Sequence, residues 1–480
     1  MEIRSQHFET LAEKALRDRR LQGALRNVGL GFQLKQEEGF ARISDPEALR
    51  DRGHEVKRRS IENLPLLLET LEKRVQDLGG VVHWARTARE AREIVKDLVK
   101  KHGVKGIVKG KSMVTEEIGL NEDLIKQGVQ VSETDLGEFI IQLAGEPPSH
   151  IIGPACHKTK EQIAELFAEK LGGPPAETPE ELTMIARRKL RNRFIHADMG
   201  ITGVNAAIAE TGTIVLIENE GNIRMSTTLP RILVSVMGIE KVVPTLDDVV
   251  ALLEVLPRSA TGQELGTYVT MVTGPSKEGE LEGPEEYHLI ILDNGRTQIL
   301  ADPDLRETLY CVRCGSCQNV CPVYQKVGGH SYGWVYGGPI GSVLTPQLVP
   351  HRLAKALPFA STLCGACAEV CPVKIPLPKL LLTLRQRYVE DRNWDGGISL
   401  VKRMTMSAYG RIIAHPNLYK ILKMAMRLAG PILAPSGRWT FLPPPLARWG
   451  RRRRVPVPAG TFSQKWPALR RQLRHRGNGS

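Results

Sequence analysis

Seven of the eight cysteines fall into two short runs, and those runs dictate what part of the chain must fold around. The first is Cys311-x2-Cys314-x2-Cys317-x3-Cys321-Pro322, and the second is Cys364-x2-Cys367-x3-Cys371-Pro372. A cubane iron–sulfur cluster offers one thiolate position on each of four irons. Three cysteines on a tight loop wrap three corners, so the fourth thiolate comes from elsewhere. In two-cluster ferredoxins the last cysteine of each run crosses to the other cluster. That logic places Cys311, Cys314, Cys317 and Cys371 on one [4Fe–4S] cluster, and Cys321, Cys364 and Cys367 on a second. Gly315 and Gly365 lie inside the ligand loops, where a backbone free to take positive φ turns amides toward sulfur.

The second run lacks its first cysteine, and Ser361 stands at that position. The Ser361 oxygen, another side chain or an exogenous ligand would complete a [4Fe–4S] cluster there. A [3Fe–4S] cluster needs no fourth ligand. His330 and His351 lie between the runs and are ligands by type. Zinc fits the spacing poorly, because zinc knuckles pair C-x2-C units into a tetrahedron and leave no use for a third and fourth cysteine before proline. Cys156 is far from the others and reads as a small buried hydrophobe rather than a ligand.

The rest of the chain has the composition of a globular protein, 41% hydrophobic and 25% charged. No apolar run approaches the ~20 residues of a membrane helix. The charged start, MEIRSQHFETLAEKALRDRR, has no apolar stretch of the kind a secretory signal carries. Cysteines arranged for metal imply a reducing interior, so a cytoplasmic location is expected. The net charge of +13 belongs to one end. Residues 401–480 hold 17 of the 66 Lys and Arg and no acid, which leaves 49 basic against 53 acidic side chains elsewhere. Such a basic tail suits an anionic membrane surface or an acidic partner, giving peripheral membrane association as an option. Trp439, Trp449 and the run Arg451–Arg454 raise nucleic acid as a partner, but no recognition helix or stacking motif supports it.

Residues 1–75 read as a polar helical arm packed on a later domain. Residues 76–300 alternate short apolar strands with helices, which implies a largely parallel sheet covered by helices. Strands are expected at Val81–Trp84, Gly106–Lys109, Val129–Ser132, His150–Gly153, Thr213–Glu218 and Ile232–Val236. Thr178-Pro-Glu-Glu181 reads as a capping box opening a helix. Thr245 caps another, which Pro257 is expected to end. Residues 301–392 form the two-cluster module, and residues 393–480 a basic, Pro- and Arg-rich region.

Two patches in the α/β domain carry chemistry-bearing residues. Lys109-Gly-Lys111-Ser follows a strand, where a glycine between lysines suits an anion. GIVKGKS is one residue short of a P-loop, so nucleotide triphosphate hydrolysis is excluded. Glu210, in ITGVNAAIAETGTIVL, is an acid, base or nucleophile by type, against the plainer role of fixing a turn. No G-x-G-x-x-G follows a strand, which argues against a self-contained NAD or FAD dehydrogenase.

The combination of ITGVNAAIAETGTIVL, CVRCGSCQNVCPVY, YGGPIGSVLTP and TLCGACAEVCPVKIP resembles the lactate utilization protein B family, the iron–sulfur member of a three-protein L-lactate oxidation system. The resemblance runs over most of the chain and includes the serine at position 361. It implies a CoA-transferase-like (LUD-type) α/β domain followed by an α-helical, ferredoxin-like two-cluster domain. It also implies a role in moving electrons while L-lactate becomes pyruvate, with partner subunits and an electron acceptor that the sequence does not identify. Three functions compete on these residues. The first is an electron-transfer subunit. In the second, the α/β domain is itself the catalytic 2-hydroxy-acid site, with Lys109, Lys111 and Glu210 as candidates and the clusters draining its electrons. In the third, the clusters only staple a scaffold.

Overall fold

A computed structural model describes residues 2–280, 282–390, 394, 400–433, 438–439, 455–456 and 462–477. The chain divides into two compact units, Met1–Gly397 and Ile398–Ser480. The Arg451–Arg454 run and Trp449 lie outside the described residues. In the second unit, helices Leu400–Ala414 and Pro416–Leu433 leave Met404, Tyr409, Ile413, Ile421 and Met424 exposed among basic residues. No described helix is long and apolar enough to cross a membrane.

The first unit opens with four helices, α1 (Phe8–Arg17), α2 (Arg19–Ala41), α3 (Pro46–Glu62) and α4 (Leu64–Asp77). They are not a free arm. Leu64, Leu67, Leu68, Leu71 and Val75 of α4 are buried in the same core as Leu233, Leu289 and Ile291 of the sheet. The α2 and α3 helices pack on helix Leu246–Thr261, and α2 also packs on the short helices that carry the first cysteine run.

Ten strands follow, β1 (Val81–Ala85), β2 (Gly106–Lys109), β3 (Gln130–Glu133), β4 (Met199–Gly203), β5 (Ala206–Ile208), β6 (Thr213–Glu218), β7 (Ile232–Gly238), β8 (Val242–Val243), β9 (Tyr268–Val272) and β10 (Glu286–Leu292). Six form a wholly parallel sheet in the order β1-β10-β7-β4-β2-β3. Every residue of β7 is buried, as expected of a central strand covered on both faces. A second sheet, β8-β5-β6-β9, is built on the antiparallel pair β5 and β6. The ITGVNAAIAETGTIVL stretch thus supplies one strand to the first sheet and two to the second.

Three sequence expectations are corrected. His150–Gly153 is not a strand, because its amides are taken by side chains. Ile152 and Gly153 donate to His150 Nδ1 at 3.1 and 3.3 Å, and Ile151 donates to Gln318 Oε1 at 3.2 Å. Pro257 does not end its helix, which runs from Leu246 to Thr261 and stops at Gly262 with φ 77°. Burial of Leu252, Leu253, Val255 and Pro257 itself outweighs the one backbone hydrogen bond a proline forfeits. Thr178 does cap helix Pro179–Ile195 through Glu181 N, but Glu181 returns its bond to Glu177 N rather than Thr178 N, so the box is not closed.

Lys109 is fully buried at the end of β2. Its ammonium donates to Glu133 at 2.8 Å, Thr115 at 3.0 Å and Glu116 at 3.2 Å. Burial works to depress its pKa, but the Glu133 and Glu116 carboxylates outweigh that and raise it. Lys109 therefore ties β2 and β3 to the following helix. Lys109→Met would strand Glu133, which is 2% exposed, and should cost about 3–5 kcal/mol in urea unfolding. A loss below about 1 kcal/mol would show that Glu133 neutralises itself at little cost.

His150 fastens the α/β domain to the first cysteine run. Its Nε2 donates to Asn319 Oδ1 at 3.0 Å while Nδ1 accepts the two amides, a neutral tautomer. Burial, and then Lys111, pulls its pKa from 6.5 to about 3. The folded chain binds this proton more weakly than the unfolded one. Stability present above the unfolded pKa of 6.5 is therefore lost as pH falls below it, by about 1.4 kcal/mol per pH unit. Thermal unfolding between about pH 7 and pH 5.5 should show a smaller acid loss in His150→Gln than in the parent. Equal losses would remove His150 as the source.

Candidate metal centre

The two cysteine runs fold alike. In the first, Arg313 (φ 64°) and Gly315 (φ 80°) take left-handed backbone, and in the second Leu363 (φ 57°) and Gly365 (φ 94°) do the same. Left-handed conformations at non-glycine residues cost free energy, so their repetition at matched positions marks a loop held for a purpose. The effect is to aim amides at sulfur. Arg313 N donates to Cys311 Sγ at 3.4 Å, Tyr324 N to Cys321 Sγ at 3.5 Å, and Ile375 N to Cys371 Sγ at 3.3 Å. Ser361 occupies the place of Cys311 in the second loop, and Leu363 N donates to its Oγ at 3.1 Å.

The thiols converge from both runs. Cys371 lies within electrostatic reach of Cys314 and Cys311, Cys367 within reach of Cys321 and Cys364, and Cys317 within reach of Cys314, Cys311 and Cys367. Burial pushes the Cys314 thiol up to about 11, and those of Cys367 and Cys371 up to about 12. Such buried thiols hold charge only against a metal. Among the described residues, no three cysteine sulfurs lie within 4.8 Å of one another. Tetrahedral zinc, with Zn–S near ~2.3 Å, would hold its sulfurs at about 3.8 Å. The amide donors to sulfur suit a cubane cluster.

Cys364 is exposed, whereas Cys311, Cys314 and Cys371 are buried. The Gly- and aromatic-rich stretch between the runs closes over the first loop, with Tyr332, Trp334 and Tyr336 all buried. His330 and His351 each have one ring nitrogen on a backbone carbonyl. His330 Nε2 pairs with Pro147 O at 2.8 Å, and His351 pairs with Pro346 O and stacks on Trp394 at 3.9 Å. Cys156 stands apart, with burial pushing its thiol up to about 11.

Beneath Cys311 lies a buried charge network that no sequence motif announced. Arg296, just after β10, donates to both oxygens of Glu117 at 2.9 and 2.8 Å and to Glu240 at 2.7 Å. Tyr336 OH donates to Glu117 at 2.6 Å, and Lys57 Nζ to Glu240 O at 2.6 Å. Arg313 reaches Glu240 at 3.4 Å and lies over the Tyr336 ring, 5.0 Å from its centroid. Gly238 makes room for this, since a Cβ there would meet Glu240 Oε2 at 2.1 Å and Arg296 Nε at 2.5 Å. Burial works against the Glu240 charge, but Arg296 and Arg313 hold its pKa down at about 2. The sign the sequence carries of the network is a charged residue shortly after each apolar strand, Glu240 in MGIEK and Arg296 in LDNGR.

A cavity of ≈ 290 Å³ opens beside the network, at the carboxyl ends of β2, β4, β7 and β10. Ligands in parallel α/β sheets bind at this edge. Of the three α/β candidates, only Lys111 lines it. Lys109 is locked in its ion cluster. Glu210 is exposed on the turn after β5, where Oε1 accepts from Leu246 N at 2.8 Å and so fixes a helix start.

Comparison with known proteins agrees with this division. Residues 68–292 match the LUD domain model, and residues 307–375 match a 4Fe-4S dicluster domain. Lactate utilization protein B of Bacillus licheniformis is 45% identical over 476 residues, covering 98% of both chains. That of Bacillus subtilis is 43% identical over 479 residues, again covering 98% of both. The Geobacillus kaustophilus protein of the same name is 46% identical over 422 residues, 88% of each chain. A full-length likeness of this degree, with a LUD-type α/β domain followed by an iron–sulfur dicluster module, means that the chain belongs to the lactate utilization protein B family.

Proposed function

We propose that this chain is an iron–sulfur electron-transfer subunit acting in the oxidation of L-lactate to pyruvate. The observation that carries the reading is the crossed convergence of thiols, Cys371 toward Cys311 and Cys314, and Cys321 toward Cys364 and Cys367. Cys311, Cys314, Cys317 and Cys371 hold one [4Fe–4S] cluster. Cys321, Cys364 and Cys367 hold the other, with Ser361 Oγ in the fourth position. When bound, the pair supplies single-electron steps over a short distance. The chain's own part is to set two unlike environments. The first is deep, beside Arg313 and behind Tyr332 and Tyr336. The second reaches the surface at Cys364, where a partner can exchange electrons. The names of the relatives support lactate as the substrate of the system. The exposed apolar residues of the basic C-terminal helices offer partner subunits a docking face, with peripheral membrane contact as a second use.

Anaerobically purified protein should carry about eight irons with matching sulfide and two interacting reducible EPR signals. About seven irons with an oxidised-state [3Fe–4S] signal would remove Ser361 as a ligand. Zinc without sulfide would sink the electron-transfer reading.

Cys371→Ser tests the crossing. It should abolish the signal that Cys311→Ser abolishes and spare the one that Cys364→Ser abolishes. If Cys371→Ser instead behaves like Cys364→Ser, each run serves its own cluster and the crossed assignment fails.

A further inference from the structure

At the amino ends of the parallel strands, the edge opposite the cysteine loops, three side chains converge that the electron path does not use. Between β1 and β2, helix Ala88–His102 runs back along the sheet and stops at Gly103. Its last residue, His102, therefore meets the start of β10, where Glu286 and His288 stand two residues apart on one face. One ligand-type atom from each of His102, His288 and Glu286 lies within 4.8 Å of the other two. Glu286 Oε2 is 3.3 Å from His102 Nε2 and 3.6 Å from His288 Nε2.

The nitrogens are the informative atoms. His102 Nε2 and His288 Nε2 are both shielded from water, and neither has a hydrogen-bond partner among the described residues. His288 is 4% exposed. Buried polar atoms in folded proteins are nearly always satisfied, so two orphans beside one carboxylate oxygen call for a group between them. A plain histidine–carboxylate ion pair is the competing explanation. It would set an N–H in line with the oxygen, and neither nitrogen meets that geometry. Two cations border the group, Arg231 at 3.6 Å from Glu286 Oε1 and Lys101 near His288. Arg231 engages the other carboxylate oxygen and leaves Oε2 to the histidines. His288 is also oriented from behind, its Nδ1 lying 3.1 Å from His83 Nε2 on β1. With the proton on Nδ1 donated to His83, Nε2 keeps its lone pair for the shared space. Metal-binding histidines are held through their second nitrogen in this way.

We propose that His102, His288 and Glu286 bind one zinc ion, which fastens the end of helix Ala88–His102 to the start of β10. Ligands ~2.0–2.2 Å from a tetrahedral ion stand about 3.3–3.5 Å apart, close to both separations above. Two imidazoles with a carboxylate suit zinc, whereas calcium and magnesium take oxygen sets. The Glu286 side chain is 32% exposed, which leaves the fourth position open to water. Zinc has no redox chemistry, so the ion holds structure and stands outside the electron path.

The test uses untagged, cluster-loaded protein, kept anaerobic and titrated with zinc chloride against a chromophoric zinc chelator. Iron and sulfide are assayed on the same samples. One zinc per chain is expected in addition to full iron and sulfide. Zinc X-ray absorption should show nitrogen and oxygen ligands with imidazole scattering, and no sulfur at ~2.3 Å. His83→Phe removes only the acceptor for His288 and should weaken zinc about 10–100-fold. His102→Gln and Glu286→Gln should weaken it at least as much. Zinc should raise the thermal midpoint of the parent and not that of His102→Gln. The zinc-free midpoint, iron and sulfide report whether each variant keeps its fold. No zinc retained, sulfur ligands on the zinc, or unchanged affinity in both His102→Gln and Glu286→Gln would each overturn the inference. Zinc of this kind accompanies sulfide, so it leaves the relay untouched.

Discussion

Arg296 joins the two halves of this molecule. Its guanidinium is 2% exposed and engages Glu117 and Glu240 together. Through Glu240 it meets Arg313 of the first cysteine loop, and through Glu117 it meets Tyr336 of the segment that covers that loop. A charge this deep is tolerated only when every donor has a partner. The carboxyl edge of the parallel sheet, the helix that supplies Glu117 and the cysteine loop are therefore held in one arrangement. The α/β domain and the cluster module do not form separable beads in this chain. They fold as one unit with shared buried groups.

That shared edge has a functional consequence. In parallel α/β sheets the carboxyl ends of the strands form the binding edge. Here the same edge is where the first cysteine loop docks. A ligand in the recess and a cluster on Cys311 would see the same guanidinium and the same tyrosine. The two cluster positions also differ in kind. One is enclosed by aromatic side chains and buried cations, and the other opens at an exposed cysteine and a serine. Burial and nearby charge are the means by which a protein separates the potentials of like clusters.

Much of this was legible in the chain. The cysteine spacing pointed to iron–sulfur over zinc, and the match of residues 307–375 to a 4Fe-4S dicluster domain agrees. Strands β1, β2, β3, β6 and β7 stand within a residue or two of where apolar runs between turn signals placed them. Strands β4 and β5 were not read because their glycines and alanines mask the periodicity, and β9 and β10 were not read although their residues are apolar enough to form strands. His150–Gly153 was misread as a strand because a short apolar run looks the same whether its amides pair with a strand or with side chains. Lys109 and Glu210 were candidates by type; in the fold Lys109 sits in a buried ion cluster, while Glu210 is exposed and accepts from Leu246 N at a helix start.

The sequence by itself determined the cofactor chemistry. Ligand spacing within a loop is a local property, and left-handed glycines next to cysteines have few other uses. It also determined the fold class, because strand and helix periodicities are written along the chain. Tertiary structure decided which buried charges pair and that a cavity lies against the first loop. Those depend on side chains far apart in sequence, such as Lys57, Glu117, Lys241, Arg296 and Arg313, arriving at one place. No local pattern encodes that meeting, because its energy lies in the desolvation and pairing of charges between distant segments.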